Sequence, residues 1–511
     1  MLAAGSAALV SLFVATAPWT IAGRPVSRLS AILVAAFLLL GLGLVVPAWR
    51  AQAGRLLDAE IRISKGALLA GTCAAAALCG AALFSRFAAL ELSAWDTTIF
   101  FDRPIAATLS GGTFPILATG RSYLGVHASY VLFAFLPFYA IAKTPFWLLA
   151  SHVLAVAAGA AMGYRFFRRI LGDDAAAALL GAAFLLNSFT ARSVQYGFHP
   201  EGLYPVALFG VGYGLIAKRR PLLAASAVLA LSVKEDSMLL LGGIGLAGAI
   251  FHKPRRDGIL LAAAAVAVFI ASTRIVMPAA SGGPADRPLY AVYWSSWGPT
   301  LPTAAAEMAR HPIRLAGRLA GSGIPSLLES AAFLPIAGPE ALLASLPALV
   351  PCAAADFEPL RRFGIYYSLP VLPFVFAAAA FGIARLAPHR RRRRLLAFLV
   401  LAVSSLDGAS YTFRWASPAR RDLAAVLESL GGQPAAIQGT LYPHAGYSAA
   451  WRPLETGLVR PREAVVLAPA TDAYPLTKAE LASLETRLTA DRRYRRTESP
   501  NGIVVFVPSL R

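Results

Sequence analysis

Four groups of residues in this chain carry side chains that an otherwise apolar sequence does not hold without reason. The stretch Trp95-Asp96-Thr97-Thr98-Ile99-Phe100-Phe101-Asp102-Arg103 sets two carboxylates six positions apart, directly after an apolar run. A carboxylate there can serve as a general base or hold a divalent metal against a phosphate. The plain alternative is a solvated loop with Asp102 paired to Arg103. Phe198-His199-Pro200-Glu201 lies at the junction of two apolar runs, with Arg192, Gln195 and Tyr196 just before it. A lone histidine in such a place is often a hydrogen-bonded structural residue, but a His and Glu pair at a membrane boundary is costly unless used. His127 heads another apolar run in the same manner.

The fourth group is the sharpest. Lys234-Glu235-Asp236 divides an apolar stretch of about thirty residues into halves that cover only ~21 Å each at ~1.5 Å per residue. The triad is therefore expected within or near a membrane, facing a polar cavity, where charged side chains serve function by default; a tight interfacial loop is the alternative. Such charges suit a lipid phosphate or pyrophosphate, with Lys234 for the anion and the acidic residues for a hydroxyl or a metal. They suit a proton or ion path equally well, and the residue pattern leaves both open.

The elements that position these residues follow from composition. Of 511 residues, 57% are hydrophobic and only 14% charged, more apolar surface than a soluble fold can hide. Apolar runs fall at 3–21, 30–48, 67–90, 127–142, 146–166, 174–190, 201–217, 221–252, 257–279, 324–354, 364–387 and 395–411. Their lengths predict a mainly α, polytopic transmembrane helix bundle of about 11–13 spans. The first run lacks a basic leader and reads as a first span that stays with the protein. Two longer interruptions, 91–126 and 280–323, are expected to be ordered loops that carry function.

Composition changes near residue 412. The chain is expected to divide into a transmembrane domain, 1–411, and a small soluble α/β domain, 412–511. There Ser417 and Asp422 open an amphipathic helix, Thr477 caps another, 464–467 reads as a strand, and Asn501-Gly502 reads as a hairpin turn.

The formal net charge of +20 comes from 47 Lys and Arg against 27 Asp and Glu, gathered in short clusters such as 390–394. Membrane topology and anionic lipid account for such clusters, and without interleaved aromatics they exclude a nucleic-acid partner. Placing the basic stretches 50–65 and 390–394 in the cytoplasm puts loop 91–126 and the C-terminal domain outside. The cluster Arg165, Arg168 and Arg169 conflicts with that if every intervening run crosses once. One run is then re-entrant. Cys73, Cys79 and Cys352 lie within apolar stretches and outside any metal-ligand spacing.

The order of these motifs, with Ser122-Tyr123-Leu124-Gly125-Val126-His127, Gly338-Pro339-Glu340, Tyr366-Tyr367-Ser368-Leu369-Pro370 and Leu441-Tyr442-Pro443-His444, resembles a family of predicted prokaryotic membrane proteins catalogued as domain of unknown function 2079. The resemblance covers about residues 85–450. This chain departs from it with Arg103 where the family tends to have Gln, and in lacking a nearby Trp and a His at or before Tyr366.

That family is similar in turn to multi-spanning, GT-C-like glycosyltransferases that use polyprenyl-phosphate sugars. The resemblance implies transfer of a sugar from such a lipid to an extracytoplasmic acceptor, with inversion. It implies Asp96 as base, Asp102 as second choice, and Lys234 with Arg103 on the phosphate. His127, His199, Glu201, Glu235, Asp236, Tyr366 and Tyr367 would line the substrate pocket. A divalent metal is compatible with these groups, and the sequence does not specify one. A transporter or flippase of a lipid-linked or anionic substrate, without catalysis, is the alternative.

Overall fold

The computed structural model describes residues 19–21, 24–26, 36–39, 41–43, 45–92, 95–116, 119–251, 255–281, 289–406, 411–455 and 457–509. Most of the expected first span, 3–21, and the start of the second lie outside these residues. The end of the first forms a short antiparallel pair, β1 (Trp19–Ile21) with β2 (Arg24–Val26).

The rest is a helical bundle followed by a small C-terminal sheet. Among the described residues three helices are long and apolar enough to cross a membrane: Lys65–Ala88, Phe146–Leu171 and Arg255–Ser281. Two bent pairs raise this to five, Asp174–Leu186 with Ser188–Tyr196 at 47°, and Glu358–Ser368 with Leu372–Leu386 at 76°. Other apolar helices, such as Arg220–Val233, Ser237–Phe251 and Pro339–Ala354, are shorter. The apolar runs are thus interrupted more often than hydropathy alone suggests. The long run 221–252 breaks at Lys234, as its charges predict.

The expected span 127–142 is not a continuous helix. It forms a 3-10 segment, Tyr130–Phe135, and a six-residue helix, Leu136–Ile141, too short to cross. It is apolar because it is partly buried in protein: Leu132, Phe135 and Tyr139 are in the core. The cluster Arg165 to Arg169 thereby returns to the end of the bundle that holds the other basic stretches, which removes the conflict in the basic-residue pattern.

Contacts at that end are direct. Arg394, 4% exposed, donates from Nε and Nη2 to Asp173 at 3.0 and 2.9 Å. Its Nη1 donates to the carbonyls of Leu57 and Ala59 at 2.9 and 2.7 Å. The amide of Ile63 donates to Asp174 at 2.8 Å. Asp173 also caps helix Asp174–Leu186 by accepting from the Ala176 amide at 2.8 Å. A buried guanidinium with this many acceptors fixes the register of three chain segments at once.

Helix Ser237–Phe251 packs against Arg255–Ala271 on one side and Pro339–Ala354 on the other. Gly243 permits the second contact, since a Cβ there would collide with the carbonyl oxygen of Ala344.

The C-terminal unit has a five-stranded mixed sheet in the order β4-β3-β5-β7-β6, with β3 at Ala435–Ile437, β4 at Trp451–Pro453, β5 at Ala464–Leu467, β6 at Tyr494–Glu498 and β7 at Val504–Pro508. Strand β3 pairs in parallel with β4 and β5, while β7 runs antiparallel to β5 and β6. Helices Ala419–Ser429 and Lys478–Ala490 accompany it. Thr477 and Glu480 form a reciprocal cap: the Thr477 amide donates to the Glu480 carboxylate at 2.7 Å, and the Glu480 amide to the Thr477 hydroxyl at 3.2 Å. Leu481, Leu484 and Leu488 then meet Val465, Leu467 and Phe506 in a separate small core.

Candidate functional site

The helix break at Lys234 builds the centre of the site. Lys234 leaves helix Arg220–Val233 in an extended conformation, φ −167° and ψ 158°, and the next helix starts at Ser237. The three charged residues between the helices reach three different partners. Lys234 Nζ donates to Glu201 Oε1 at 3.2 Å. Glu235 accepts from the Ala128 amide at 2.9 Å and lies 2.7 Å from His127 Nδ1. Asp236 accepts from the Tyr204 hydroxyl at 2.6 Å. Each charge is thus compensated by an element far away in sequence, as burial requires.

The His199 and Glu201 motif forms the neighbouring wall. His199 Nδ1 bonds Glu201 Oε2, so the same carboxylate joins the histidine and Lys234. The His199 ring stacks on Tyr366 at 3.4 Å and 8°, and the Tyr366 hydroxyl donates to that of Tyr367 at 3.0 Å.

Gly197 joins this wall to the first loop. Its φ is +117°, and a Cβ would come within 2.7 Å of Thr97 Oγ1. A side chain there meets both backbone strain and a steric clash. Thr97 donates to the Phe198 carbonyl at 3.3 Å. Asp96, one residue earlier, accepts a hydrogen bond from the Tyr196 hydroxyl. Burial pushes the Asp96 carboxyl above its ordinary value, offset in part by His199 and by the Tyr196 hydroxyl.

These residues line one cavity of about 1330 Å³. Asp96, His127, His199, Glu201, Lys234, Glu235, Asp236, Tyr366 and Tyr367 all contribute to its lining. Its lining combines the polar residues above, with Arg86, Arg121 and Gln195, and apolar ones that include Met238, Leu239, Phe269, Leu301, Met308 and Pro351. The C-terminal unit closes part of the cavity with Asp472, Tyr474 and Lys478. Sequence reasoning did not single these out, because nothing local marks residues almost four hundred positions away as neighbours of Asp96. Among the described residues, no group of three or more His, Cys, Asp or Glu side chains is placed to hold a metal ion.

Asp102 and Arg103 stand outside the cavity lining. Both are buried, at 1% and 5% exposure, against the C-terminal unit. Asp102 accepts from the hydroxyls of Tyr139 and Tyr447 at 2.7 and 2.6 Å. Arg103 donates to the carbonyls of Tyr442, Ala445 and Gly446, and lies against the rings of Tyr442 and Tyr447. Arg103 Nε makes no hydrogen bond, 3.6 Å from Asp102, and the remaining bonds tie this segment to Tyr139 and to residues 442–447.

Residues 86–414 match the family described as predicted membrane protein (DUF2079), which is well over half of the chain. The chain belongs to this family. Comparison with curated proteins gives no match. Among solved structures, the chain is similar to ArnT from Cupriavidus metallidurans, in a crystal structure with bound undecaprenyl phosphate. The two share 11% identity with a TM-score of 0.49, over 88% of this chain and 99% of that one.

Proposed function

We propose that this member of the DUF2079 family is a membrane glycosyltransferase-like enzyme that moves a sugar from a polyprenyl-phosphate lipid to an acceptor outside the cell. The observation that carries the reading is that one cavity is lined by Asp96, Lys234 and apolar side chains together. A lipid-linked substrate needs apolar surface for its chain, a cation at its phosphate and a base for the acceptor, and this lining supplies Met238, Phe269 and Leu301 for the first, Lys234 for the second and Asp96 for the third.

In this reading Asp96, ionised, takes the proton from an acceptor hydroxyl. The hydroxyl oxygen attacks the anomeric carbon while the bond from that carbon to the phosphate oxygen breaks. The electron pair leaves with the lipid phosphate, whose charge Lys234 offsets. Glu201 engages one of the three Lys234 protons and holds the ammonium in place. His199 fixes Glu201, and Tyr366 fixes His199 by stacking. The basic end of the bundle then lies in the cytoplasm, and the cavity and the C-terminal unit lie outside.

Native mass spectrometry of the gently extracted protein tests this. Wild type is expected to carry a polyprenyl phosphate that Lys234→Ala loses and Asp96→Asn keeps. Absence of such a lipid from wild type would overturn the donor assignment.

One observation favours a second reading, transport of a lipid-linked or anionic substrate without chemistry. The helix break at Lys234 carries buried charges, an arrangement found where transporters bind cargo. Vesicle uptake that survives Asp96→Asn would select it.

A further inference from the structure

We infer a second ligand site, at the end of the bundle away from the cavity: a pocket for the phosphate headgroup of an anionic phospholipid. It lies where helix Pro47–Asp58 meets the start of helix Arg390–Ser404. Helix Lys65–Ala88 begins at this end, beside the Ile63 to Asp174 contact, and leads to the Asp96 segment at the other.

The site is an open depression at the surface, with its arginines exposed to the surroundings. Arg50, Arg55 and Arg391 line it with a single carboxylate, Asp58. Arg391 Nε donates to both Asp58 oxygens at 2.7 Å, so this pair forms a fixed floor. Gly54 leaves room for that guanidinium, since a Cβ there would stand 3.3 Å from Arg391 Nη2. The corner beneath is rigid, because the buried Arg394 ties Asp173 to the carbonyls of Leu57 and Ala59. With Asp58 balancing Arg391, the lining keeps an excess of positive charge that suits a phosphodiester.

An inorganic phosphate would satisfy the charges equally. The surface beside the pocket argues for lipid. Leu38, Leu39, Leu42, Val45 and Trp49 are all more than half exposed, and they form an apolar approach to the arginines. Acyl chains can lie along it with the tryptophan at the headgroup level. Basic pockets at helix junctions on the cytoplasmic side bind anionic headgroups for this reason.

The test uses the full chain in phosphatidylcholine nanodiscs to which phosphatidylglycerol is added, with retained lipid counted by native mass spectrometry and the melting temperature recorded. Wild type is expected to retain phosphatidylglycerol over phosphatidylcholine by about tenfold, and Arg50→Gln/Arg55→Gln to lose most of that preference. The double variant leaves the Asp58 and Arg391 pair intact, and an unchanged melting temperature in pure phosphatidylcholine shows that it folds. Arg50→Lys/Arg55→Lys keeps the charge and is expected to keep most of the preference. Equal retention by wild type and the glutamine variant overturns the site. Inorganic phosphate that raises the melting temperature as much as phosphatidylglycerol overturns the lipid assignment in favour of a free anion.

Discussion

Arg103, in the segment that follows the first long membrane helix, donates to the backbone carbonyl of Gly446 at 2.9 Å, across 343 positions of sequence. Two more carbonyls and two tyrosine rings complete its surroundings, and Asp102 lies 3.6 Å from its Nε. The same segment carries Asp96. The C-terminal unit is therefore fastened to the strip of chain that presents the cavity's carboxylate.

Replacing Arg103 by Ala is expected to destabilise this contact by about 3–5 kcal/mol, because Asp102 is left buried without its cation. Hydrogen exchange at 442–447 should rise well above wild type. Arg103→Lys should not restore protection, since one ammonium cannot reproduce the planar fork that serves three carbonyls. Unchanged exchange in Arg103→Ala would show that the contact carries no weight.

Asp96→Asn is expected to lower turnover by about 10²–10⁴-fold, the usual loss when a positioned base is removed, while leaving donor retention unchanged. Lys234→Ala is expected to lose retention itself. A variant pair with the reverse behaviour would exchange the two roles.

The raised Asp96 value sets a pH dependence. The carboxylate must be ionised to accept a proton, and burial makes ionisation harder. Activity should therefore fall, as pH is lowered, at a point above the ordinary aspartate value of ~3.9. Tyr196→Phe removes a hydrogen bond that favours the ionised form, so it should move that limb further upward. A limb that does not move in Tyr196→Phe would separate it from Asp96.

His444 predicts a second pH effect, on stability. Its ring stacks on Phe87 at 4.1 Å, and burial, with the charge of Arg420, lowers it to about 4. The unfolded histidine takes up a proton near pH ~6.5, so stability is fully present above that value. It declines as pH falls from there to about 4, by roughly 3 kcal/mol in all. The melting temperature of wild type should drop over this window, and that of His444→Phe should drop less.

Gly243→Ala tests the packing of two helices that contribute to the cavity lining. The added methyl meets the Ala344 carbonyl and must part helix Ser237–Phe251 from Pro339–Ala354. A cost of about 1–3 kcal/mol is expected, read as a lower melting temperature. Gly242→Ala, where a Cβ meets nothing within 4 Å, is the matched control.

Much of this was legible from local pattern. The charged triad at 234–236 marked a helix break, Thr477 marked a helix start, and Asn501-Gly502, with Gly502 at φ +82°, marked the β6 to β7 turn. The apolar runs gave the bundle, except where apolar residues face protein, as at 130–141. What escaped is pairing across distance. His127 meets Glu235 over 108 positions, Tyr196 meets Asp96 over 100, and Tyr474 joins the cavity from another unit. No period or spacing encodes such contacts, because they are made only when the bundle closes. The short strands β3 and β4 also escaped, being three residues each and without alternation.

The residues that complete the cavity lining from the C-terminal side, Asp472 to Lys478, follow Lys234 in the chain by more than two hundred positions. Asp96 and Lys234 are inserted long before them. During synthesis the carboxylate and the ammonium are in place while the wall opposite them does not yet exist. The chamber takes its shape only when that later segment has folded and Arg103 has found its carbonyls. A nascent chain that has reached only residue 470 therefore holds both charged groups and lacks one wall around them.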